Sequence, residues 1–238
     1  MKISILTFAL ALIGFQIASA QDEIVGNGEI VKQQRTISSF TKLNVRIGTR
    51  VRIVSGDATK AELEGESNIL EHVITDVKNG ELTVMLNNHK RFKQTKGVTV
   101  TIHVAKLDRA MVSTGSSIQS ELPIQADQLT LVVETGSRMT ATVSAKTLDL
   151  TVRDGSRATL QGNVAEADIN LSGAGNLNAE KLTVARSEVK LDGASHADIH
   201  VTESLAASAD GVSTLTYSGN PTVKSQEVSG LSKIRKRG

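Results

Sequence analysis

The side chains best suited to chemistry in this sequence are carboxylates that stand directly before glycines at regular intervals. Asp192 and Asp210 hold the same corner in two consecutive repeats, and Asp154 is expected to hold that corner two repeats earlier. Carboxylates stacked about 5 Å apart can bind Ca²⁺, which takes about six to eight oxygen ligands. With Arg138 or Arg157 as a basic partner, such a site would be typical of a β-helical polysaccharide lyase that abstracts a proton with the help of Ca²⁺.

The same aspartates also fit ordinary turn chemistry, which is the interpretation we favour. Asp before Gly is common in tight turns because its side chain accepts hydrogen bonds from nearby backbone N–H groups. Asp192 and Asp210 alone offer too few ligands for a strong Ca²⁺ site, and the Gly-Gly-x-Gly-x-Asp nonapeptide does not occur. Asp192 and Asp210 therefore remain candidate metal ligands only, and no cofactor is predicted.

Two other groups of residues do not predict an active site. His196 and His200 are four residues apart, and on a β-strand this spacing separates them by about 13 Å, too far for one zinc ion. We expect both histidines to be exposed to solvent. No Gly-x-Ser-x-Gly nucleophile motif occurs, because Thr135-Gly136-Ser137 belongs to a set of corners that recurs too often to be one active site. No catalytic residue is predicted.

The densest group of positive charges lies between residues 89 and 96 and includes Lys90, Arg91, Lys93 and Lys96. An exposed loop with these charges would attract an acidic polysaccharide, lipid phosphate or another anionic surface. The simpler interpretation, which we favour, is a solvated loop. A second basic run at residues 233–237 ends the chain and is expected to discourage strand addition there. If the two runs lie at opposite ends of the molecule, they cannot form one site.

Composition narrows the classes of function. The chain has 238 residues with 27 basic and 25 acidic side chains, and this near balance does not indicate a nucleic-acid partner. The absence of cysteine excludes a disulfide scaffold, a thiol nucleophile and a cysteine-based zinc site. Aromatic residues make up 2% of the chain, too few for sugar-stacking platforms or for single-stranded nucleic-acid binding.

The first 20 residues are typical of a secretory signal peptide. Lys2 precedes an apolar run, Ile3 to Ile17, and the small residues Ala18-Ser19-Ala20 follow. This pattern predicts cleavage before Gln21 and export to the periplasm or the cell surface, or secretion. The alternative is an uncleaved membrane anchor, although a membrane span needs ~20 apolar residues. No later segment reaches that length, so we expect no membrane span after cleavage.

From residue 112 onward the sequence repeats about every 19 residues. A glycine recurs at intervals of 18 to 21 residues, and an apolar residue precedes it by three positions in the first three repeats and by two from Leu171 onward. We therefore expect a turn that is one residue shorter in the later repeats. Glycine supplies the positive φ that a sharp bend requires. The predicted turn glycines are Gly115, Gly136, Gly155, Gly173, Gly193, Gly211 and Gly230.

Apolar residues alternate on both sides of these turns, as in Leu129, Leu131 and Val133. Period-two alternation indicates strands, so each repeat is predicted to hold two or three very short strands. Roughly 19 residues at ~3.3 Å each form one coil, and stacked coils enclose a thin apolar column. The pattern predicts an all-β parallel β-helix. A β-sandwich is the alternative, but it does not require glycine and apolar ladders in step with each other.

Residues 21–97 are less regular and are assigned to the first coils and an N-terminal cap. Ser67 is a candidate cap for a short helix over residues 68–73, and Asn79-Gly80 predicts a β-hairpin. A solenoid must cover the open edge of its first coil, which is the expected role of this segment. We predict one β-helix domain over residues 21–238, with the cap and first coils at 21–97 and regular repeats at 98–238.

The N-terminal motifs resemble those of a known family. The residues Gly26-x-Gly28-x-Ile30, Arg35-x-Ile37, Phe40, Val45, Gly48, Val51 and Ile53 resemble the start of the head GIN domain of auto-transporter adhesins. The later glycine repeats are similar to the rest of that domain, so the resemblance covers essentially the whole chain after the signal peptide. The resemblance implies a right-handed β-helix in a secreted cell-envelope protein with a role in adhesion, and it implies no catalytic residues.

The favoured hypothesis is a non-enzymatic secreted β-helix whose extended surface binds a glycan, or a component of the envelope or of a host surface, in adhesion. The first alternative is a β-helical polysaccharide lyase or hydrolase. The second is a structural envelope protein that forms homo-oligomers through its coil ends.

Overall fold

The computed structural model describes residues 23–56, 59–104 and 106–237. The predicted signal peptide and its cleavage site lie outside these residues. Strands make up 70% of the structure, and the described residues contain one four-residue helix, α1, at Ser67–Leu70. The strands are β1 (Glu23–Val25), β2 (Ile30–Thr36), β3 (Lys42–Arg46), β4 (Arg50–Ser55), β5 (Lys60–Glu66), β6 (Val73–Lys78), β7 (Glu81–Leu86), β8 (Arg91–Lys93), β9 (Thr99–Val104), β10 (Arg109–Val112), β11 (Ser117–Val133), β12 (Arg138–Arg153), β13 (Arg157–Ser172), β14 (Asn176–Leu191), β15 (His196–Ala209), β16 (Thr214–Ser218), β17 (Thr222–Val228) and β18 (Lys233–Lys236).

The strands stack in parallel into a β-solenoid of about 7 turns. From β10 to β16 each strand pairs in parallel with the next one along the chain, and β17 and β18 pair with β15 and β16. The predicted parallel β-helix with coils of about 19 residues is confirmed. The backbone hydrogen bonds of each coil are therefore made mainly to the coils on either side of it.

The expectation of two or three very short strands in every coil is wrong for the middle of the stack. β11 to β14 are continuous strands of 16 or 17 residues, each of which bends without ending. The pairing with neighbouring coils continues through the bend, so the strand does not end there. Gly162 of β13, for example, is paired with Val143 and with Leu182. A Cβ at Gly162 would lie 2.1 Å from the carbonyl oxygen of Val143, so only glycine allows this close approach.

A four-residue corner separates two faces of each regular coil. The first face ends at an apolar column, and the second face begins five positions later in every coil, as from Val112 to Ser117 and from Leu191 to His196. The corners therefore have equal lengths, and the prediction of a shorter turn from Leu171 onward is wrong. What changes is the place of the glycine within the corner. It is the third corner residue at Gly115, Gly136 and Gly155 and the second at Gly173, Gly193, Gly211 and Gly230.

The core is a column of aliphatic side chains inside the coils. The apolar residues that end the first face stack in register and are buried from Val112 to Ala209, as the alternation predicted. Inward residues of the second face, such as Ile118, Met139 and Leu177, are buried opposite them. Small aliphatic side chains fill this interior because neighbouring coils are only ~4.8 Å apart.

The first two coils are stacked out of sequence order. β3 and β4 form one coil, and β7 and β9 form another. β3 pairs with β7 on one side and with β10 on the other, and β4 likewise lies between β9 and β11. The coil that comes second in sequence is thus at the end of the stack, and the first is inserted between it and the regular repeats. The 19-residue period did not indicate this order because it begins only at residue 112.

Antiparallel strands close the N-terminal end of the stack. β6 pairs with β7, β5 with β9, and β2 with β5. Asn79 and Gly80, with φ of 51° and 73°, form the tight turn of the β6–β7 hairpin. α1 is shorter than the expected helix, and Ser67 is its first residue rather than its cap. The Ser67 hydroxyl is instead engaged with the N-terminal turn, where it donates to the Glu29 carboxylate at 3.0 Å.

Candidate ligand-binding face

A column of arginines lies on the outer surface of the second face. Arg50, Arg138 and Arg157 each begin this face in their coil, and Ser117 lies between Arg50 and Arg138. We call these four residues the arginine column. All three arginines are exposed, and successive coils are ~4.8 Å apart. The sequence singled out Arg138 and Arg157 as basic residues but missed Arg50, which precedes the regular repeat.

Buried hydroxyls fix the corners from which the column projects. The last corner residue in these coils is Thr49, Ser116, Ser137 or Ser156, and all four are buried. The backbone N–H groups of Thr49, Ser116 and Ser137 donate to the serine Oγ of the next coil at 3.3, 3.3 and 3.1 Å. Because each N–H finds a buried partner, the corners superpose from coil to coil. The recurrence of Ser at this place in the sequence was the available signal for this ladder.

The arginine column carries positive charge that no carboxylate balances. The side chains of Arg50, Arg138 and Arg157 form no hydrogen bond or ion pair with any residue that the structure describes. Four other exposed arginines are paired with acidic side chains: Arg52 with Glu121, Arg153 with Glu134, Arg186 with Glu166 and Glu203, and Arg237 with Glu180 and Asp198. Arg46, Arg91, Arg109 and Arg235 are likewise exposed and without an ion pair to any described residue, so the column is distinguished by three unpaired arginines in one register row.

The stacking of two of these arginines opposes stability. Arg138 and Arg157 are direct neighbours in the parallel register, and like charges on adjacent strands destabilise a sheet by up to roughly 1 kcal/mol. The next residues along the column are Ser117 and Asn176, which bring no compensating charge. A local cost without local compensation is typical of a functional position.

The surface beside the column is rich in hydrogen-bonding groups, and Arg52, which lies next to Gln119 in the same row, is paired with Glu121. Gln119, Thr140 and Thr159 form the adjacent outward row and are exposed. Guanidinium groups bind carboxylates and sulfates through paired N–H donors, and hydroxyls and amides can bind sugar hydroxyls. A straight strip with regular spacing suits an extended polymer that carries repeated anionic groups.

The predicted basic loop is held by a strand pair rather than being a free loop. Arg91 and Lys93 flank Phe92 in β8, and β8 pairs in parallel with β1. Phe92 is partly buried against the core, so the neighbouring basic side chains project outward. Arg91 and Lys93 are exposed and have no ion-pair partner within the described ranges. They remain available to an anionic ligand.

The other two basic candidates differ from this pair. Lys96 forms an ion pair with Glu64 at 2.5 Å between Nζ and Oε1, which engages its charge within the protein. Lys90 is half-buried. The structure therefore does not bring Lys90, Arg91, Lys93 and Lys96 together as four equivalent free charges.

A buried carboxylate, Glu66, anchors residues 89–96, which we call the basic segment. It accepts hydrogen bonds from the backbone N–H groups of Gly28 at 2.8 Å and Thr95 at 3.0 Å, and from the Thr95 hydroxyl at 3.0 Å. Burial by itself would raise the pKa of Glu66, but these hydrogen bonds outweigh it and hold the pKa below its usual value. A Cβ at Gly26 would lie 2.1 Å from the Glu66 carboxylate. The Gly26-x-Gly28 motif is thus the turn that closes over Glu66.

The basic segment and the arginine column meet at Gly97. The Arg50 guanidinium lies over this glycine, since a Cβ there would be 3.0 Å from Arg50 Nη2. The backbone N–H of Arg50 also donates to the carbonyl oxygen of Val98 at 3.1 Å. Arg50 of the column therefore lies directly against the residue that follows the basic segment. The C-terminal basic residues in β18 begin four coils beyond Arg157 and do not join this strip.

The predicted aspartates lie at corners, where their carboxylates bind the local backbone. Asp192 and Asp210 accept hydrogen bonds from the N–H of the following glycine at 2.6 and 2.7 Å. Ser229 also donates to Asp210 at 2.5 Å, and these hydrogen bonds lower the pKa of Asp210. Asp154 does not share their place, because it is the second corner residue, with φ of 56°, whereas they are the first. No cluster of three or more metal-ligating side chains occurs among the residues described.

The histidines are separate from each other and partly exposed to solvent, with 43% of the His196 side chain accessible. His196 Nε2 lies 3.0 Å from Asp198 Oδ2, and His200 Nδ1 lies 2.9 Å from Ser218 Oγ. Each imidazole therefore has its own hydrogen-bond partner on the second face.

The first face carries the opposite charge. Asp149, Asp168 and Glu188 occupy one outward column in three consecutive coils. Asn170 donates to Asp168 at 2.8 Å, and Lys190 pairs with Glu188 at 2.6 Å. An anionic polymer would be repelled from this column and attracted to the arginine column on the other side of the corner. Of these two faces, the second therefore offers such a ligand the favourable, positively charged column.

The fold is a parallel β-solenoid with an exposed column of arginines on its second face. Within the described ranges, no helix has the length and apolar content needed to cross a membrane. The family described as "Putative auto-transporter adhesin, head GIN domain" matches residues 39–221. The chain belongs to this family.

Solved structures share the fold at low sequence identity. A "putative adhesin" from Bacteroides fragilis NCTC 9343 has a TM-score of 0.84 and 20% identity, over 90% of this chain and 100% of that one. A "putative lipid binding protein" from Parabacteroides distasonis ATCC 8503 gives 0.73 and 15%, over 91% and 100%. A "putative adhesin" from Parabacteroides merdae ATCC 43184 gives 0.68 and 19%, over 91% and 100%. Among curated proteins, none matches this chain.

Proposed function

We propose that this protein is a secreted, non-enzymatic adhesin of the cell envelope that binds an extended acidic polysaccharide along the arginine column. The stack of Arg50, Arg138 and Arg157 without carboxylate partners carries the proposal. Membership of a family named for adhesion supports the same role. The ligand is defined by its chemistry, as a sugar chain with carboxylate or sulfate groups at regular intervals.

Binding along this strip would be multivalent. Each guanidinium can hold one carboxylate or sulfate by two parallel hydrogen bonds, while Thr140 and Thr159 offer hydroxyls to the sugar ring. Once one anionic group is bound, the next binds as an intramolecular event, so the weak contacts combine. Because the arginines are exposed, the attraction is screened by salt, with a Debye length of ~8 Å at physiological ionic strength.

The lyase alternative has weaker support from the same residues. A general base must take up a proton near the working pH, and a guanidinium group is a poor candidate because it has no free lone pair to accept one. The carboxylates of Asp192 and Asp210 are bound to the corner backbone. The lyase hypothesis still makes its own prediction, which is the appearance of unsaturated sugars on incubation with an acidic glycan.

Retention on immobilised acidic and neutral polysaccharides tests the proposal. We expect the protein without residues 1–20 to bind a polyuronate or sulfated glycan and to be released by salt, and not to bind dextran. The double variant Arg138→Gln/Arg157→Gln removes two charge-assisted contacts and should bind at least tenfold more weakly. A tenfold loss in affinity corresponds to about 1.4 kcal/mol of binding free energy.

The matched control is Arg153→Gln/Arg186→Gln, which removes the same charge from arginines that are paired with Glu134 and Glu166. The control should bind almost as the wild type does. Equal losses in both double variants would show that net charge alone governs binding and would refute the specific role of the column. Release of unsaturated sugars, abolished by Asp192→Ala or Arg157→Ala, would establish the lyase instead.

Secretion is the other part of the proposal, and it rests on the basic, apolar and small-residue pattern of residues 1–20. We expect the mature chain to begin at Gln21, two residues before β1. Mass spectrometry of protein recovered from the envelope and the medium tests this. A mature protein that retains residues 1–20 would point to the uncleaved anchor.

A further inference from the structure

The two ends of the solenoid differ in how their edges are covered. At the N-terminal end, the antiparallel strands β6 and β5 pair with β7 and β9 of the outermost coil. At the C-terminal end, β17 and β18 each pair with a single strand of the described chain, β15 and β16. Their outer edges carry backbone N–H and C=O groups that can pair with another strand.

β17 also leaves the last layer of the core open. Val223 and Val228 stack on the buried residues Leu205 and Ala209, yet Val223 is 41% exposed and Val228 is 48% exposed. Every residue of β17 is exposed. A further layer placed over this end would remove apolar surface from water, which is favourable.

β17 contains a bulge that sets which residues face the core side. Val223 lies opposite Leu205 and Ser225 lies opposite Ala206, so Lys224 is an extra residue in the ladder. After the bulge, inward and outward places alternate again. The inward side of β17 carries Val223, Gln226 and Val228, and the outward side carries Lys224, Ser225 and Glu227.

This pattern is self-complementary when β17 pairs antiparallel with a second copy of itself. If Gln226 lies opposite Gln226 of the copy, Val228 lies opposite Val223 on the inward side. Glu227 then lies opposite the bulge that contains Lys224 on the outward side. Twofold symmetry makes each of these pairs occur twice, and apolar pairs and opposite charges both stabilise antiparallel strands.

We propose that β17 is the interface of a twofold homodimer in which two copies pair antiparallel about Gln226. The axis passes through the first face, so the two basic β18 strands lie on opposite sides of it and their charges do not meet. A bulge and a lysine on an edge discourage pairing with unrelated strands, whereas Glu227 of the copy neutralises Lys224. The dimer leaves both arginine columns uncovered, and its existence does not depend on whether they bind a glycan.

Sedimentation equilibrium of the protein without residues 1–20, over a wide concentration range, tests the dimer by charge reversal. We expect a monomer–dimer equilibrium for the wild type. Lys224→Glu and Glu227→Lys should each weaken it about tenfold, because each creates two like-charge pairs. The double reversal Lys224→Glu/Glu227→Lys should restore it. A monomer at every concentration, or single reversals that have no effect, would overturn the proposal.

Cysteine crosslinking tests the register independently, because the chain has no cysteine of its own. Gln226→Cys should form a disulfide-linked dimer on mild oxidation, since the two thiols face each other across the axis. Thr222→Cys is the matched control in the same exposed strand, where the pairing separates the two thiols by about 20 Å. Crosslinking of Thr222→Cys as efficient as that of Gln226→Cys would overturn the proposed register.

Discussion

The second residue of each corner shows how one backbone requirement is met by different side chains. It has a positive φ in every regular coil, and Thr114, Thr135 or Asp154 occupies it in the early coils, whereas glycine does from Gly173 onward. Space explains the change, because a Cβ at Gly211 would lie 2.4 Å from the carbonyl oxygen of Gly193. At Gly136, which is the third residue of its corner, a Cβ would meet nothing within 4 Å.

We therefore expect Gly211→Ala to destabilise the fold more than Gly136→Ala does. Both substitutions place an L-residue in the left-handed region, at a cost of roughly 1–2 kcal/mol. Gly211→Ala adds a backbone clash worth about 1–3 kcal/mol. Urea denaturation of both variants measures the difference. Equal midpoints would show that coil-to-coil spacing relaxes freely at the corner.

The buried carboxylate of Glu66 makes the N-terminal cap sensitive to acid. Its pKa is lower in the folded protein than in the unfolded chain, so its contribution to stability is present above the unfolded value of about 4.5 and is lost as the pH falls through the folded pKa. We expect the melting temperature to fall more steeply with acid in the wild type than in Glu66→Gln. The control is Glu62→Gln, which changes an exposed carboxylate of the same strand, and its melting temperature should depend on pH as that of the wild type does. A Glu66→Gln profile parallel to that of the wild type would contradict the assignment.

Sequence patterns located single residues only where the repeat is regular. The corner glycines and the Asp–Gly turns could be predicted because their signals are local and recur. Arg50 and Glu66 could not, because Arg50 joins Arg138 only through a coil inserted out of order, and Glu66 meets Thr95 across 29 residues. The place of Asp154 was misjudged because the glycine, not the corner, moves by one residue.

At the level of strands and coils, two requirements must be met by the same register. The register that pairs the backbone hydrogen bonds of neighbouring coils must also stack their buried apolar side chains. The serine ladder continues this register into the corners. The backbone N–H groups of Ser195 and Ser213 donate to the Oγ atoms of Ser213 and Ser232 at 3.3 and 3.0 Å. It is interrupted at Gly175, where a Cβ would lie 2.2 Å from the carbonyl oxygen of Val152. Serine cannot fit there, so close packing overrides the hydroxyl ladder at this coil.

Leu171 tests the apolar column directly. Leu171→Asp would place a carboxylate between Val152 and Leu191, and an unpaired buried charge is strongly unfavourable. We expect a loss of about 4–5 kcal/mol or more in unfolding free energy, or failure to fold. Asn178→Asp, which adds the same charge at an exposed place on a neighbouring strand, should change thermal melting little. A stable Leu171→Asp protein would refute the column.

The arrangement of coils was only partly predictable from the sequence. Alternation around Leu129 to Val133 identified strands, and the 19-residue period identified the stack. The continuous bends of β11 to β14 were missed because alternation cannot distinguish one bent strand from two short ones. The exchange of the first two coils was missed because β3 and β7 carry no repeat signal that orders them.

Over the whole molecule, charge is distributed by face and by end. The arginine column lies on the N-terminal half of the second face, while Asp149, Asp168 and Glu188 mark the first face. The closed N-terminal end and the open β17 edge make the two ends different as well. A solenoid with these features can bind a polymer along its side and a second copy at its C-terminal end without conflict between the two surfaces.

The central claim is that an acidic polysaccharide lies along the arginine column, and arginine-selective chemical modification read by mass spectrometry tests it most directly. With the polymer bound, Arg50, Arg138 and Arg157 should become less reactive, while Arg153 and Arg186, which are 49% and 47% exposed in their side chains, should keep their reactivity. Binding that leaves those three arginines as reactive as before, or that protects Arg153 and Arg186 equally, would contradict the account.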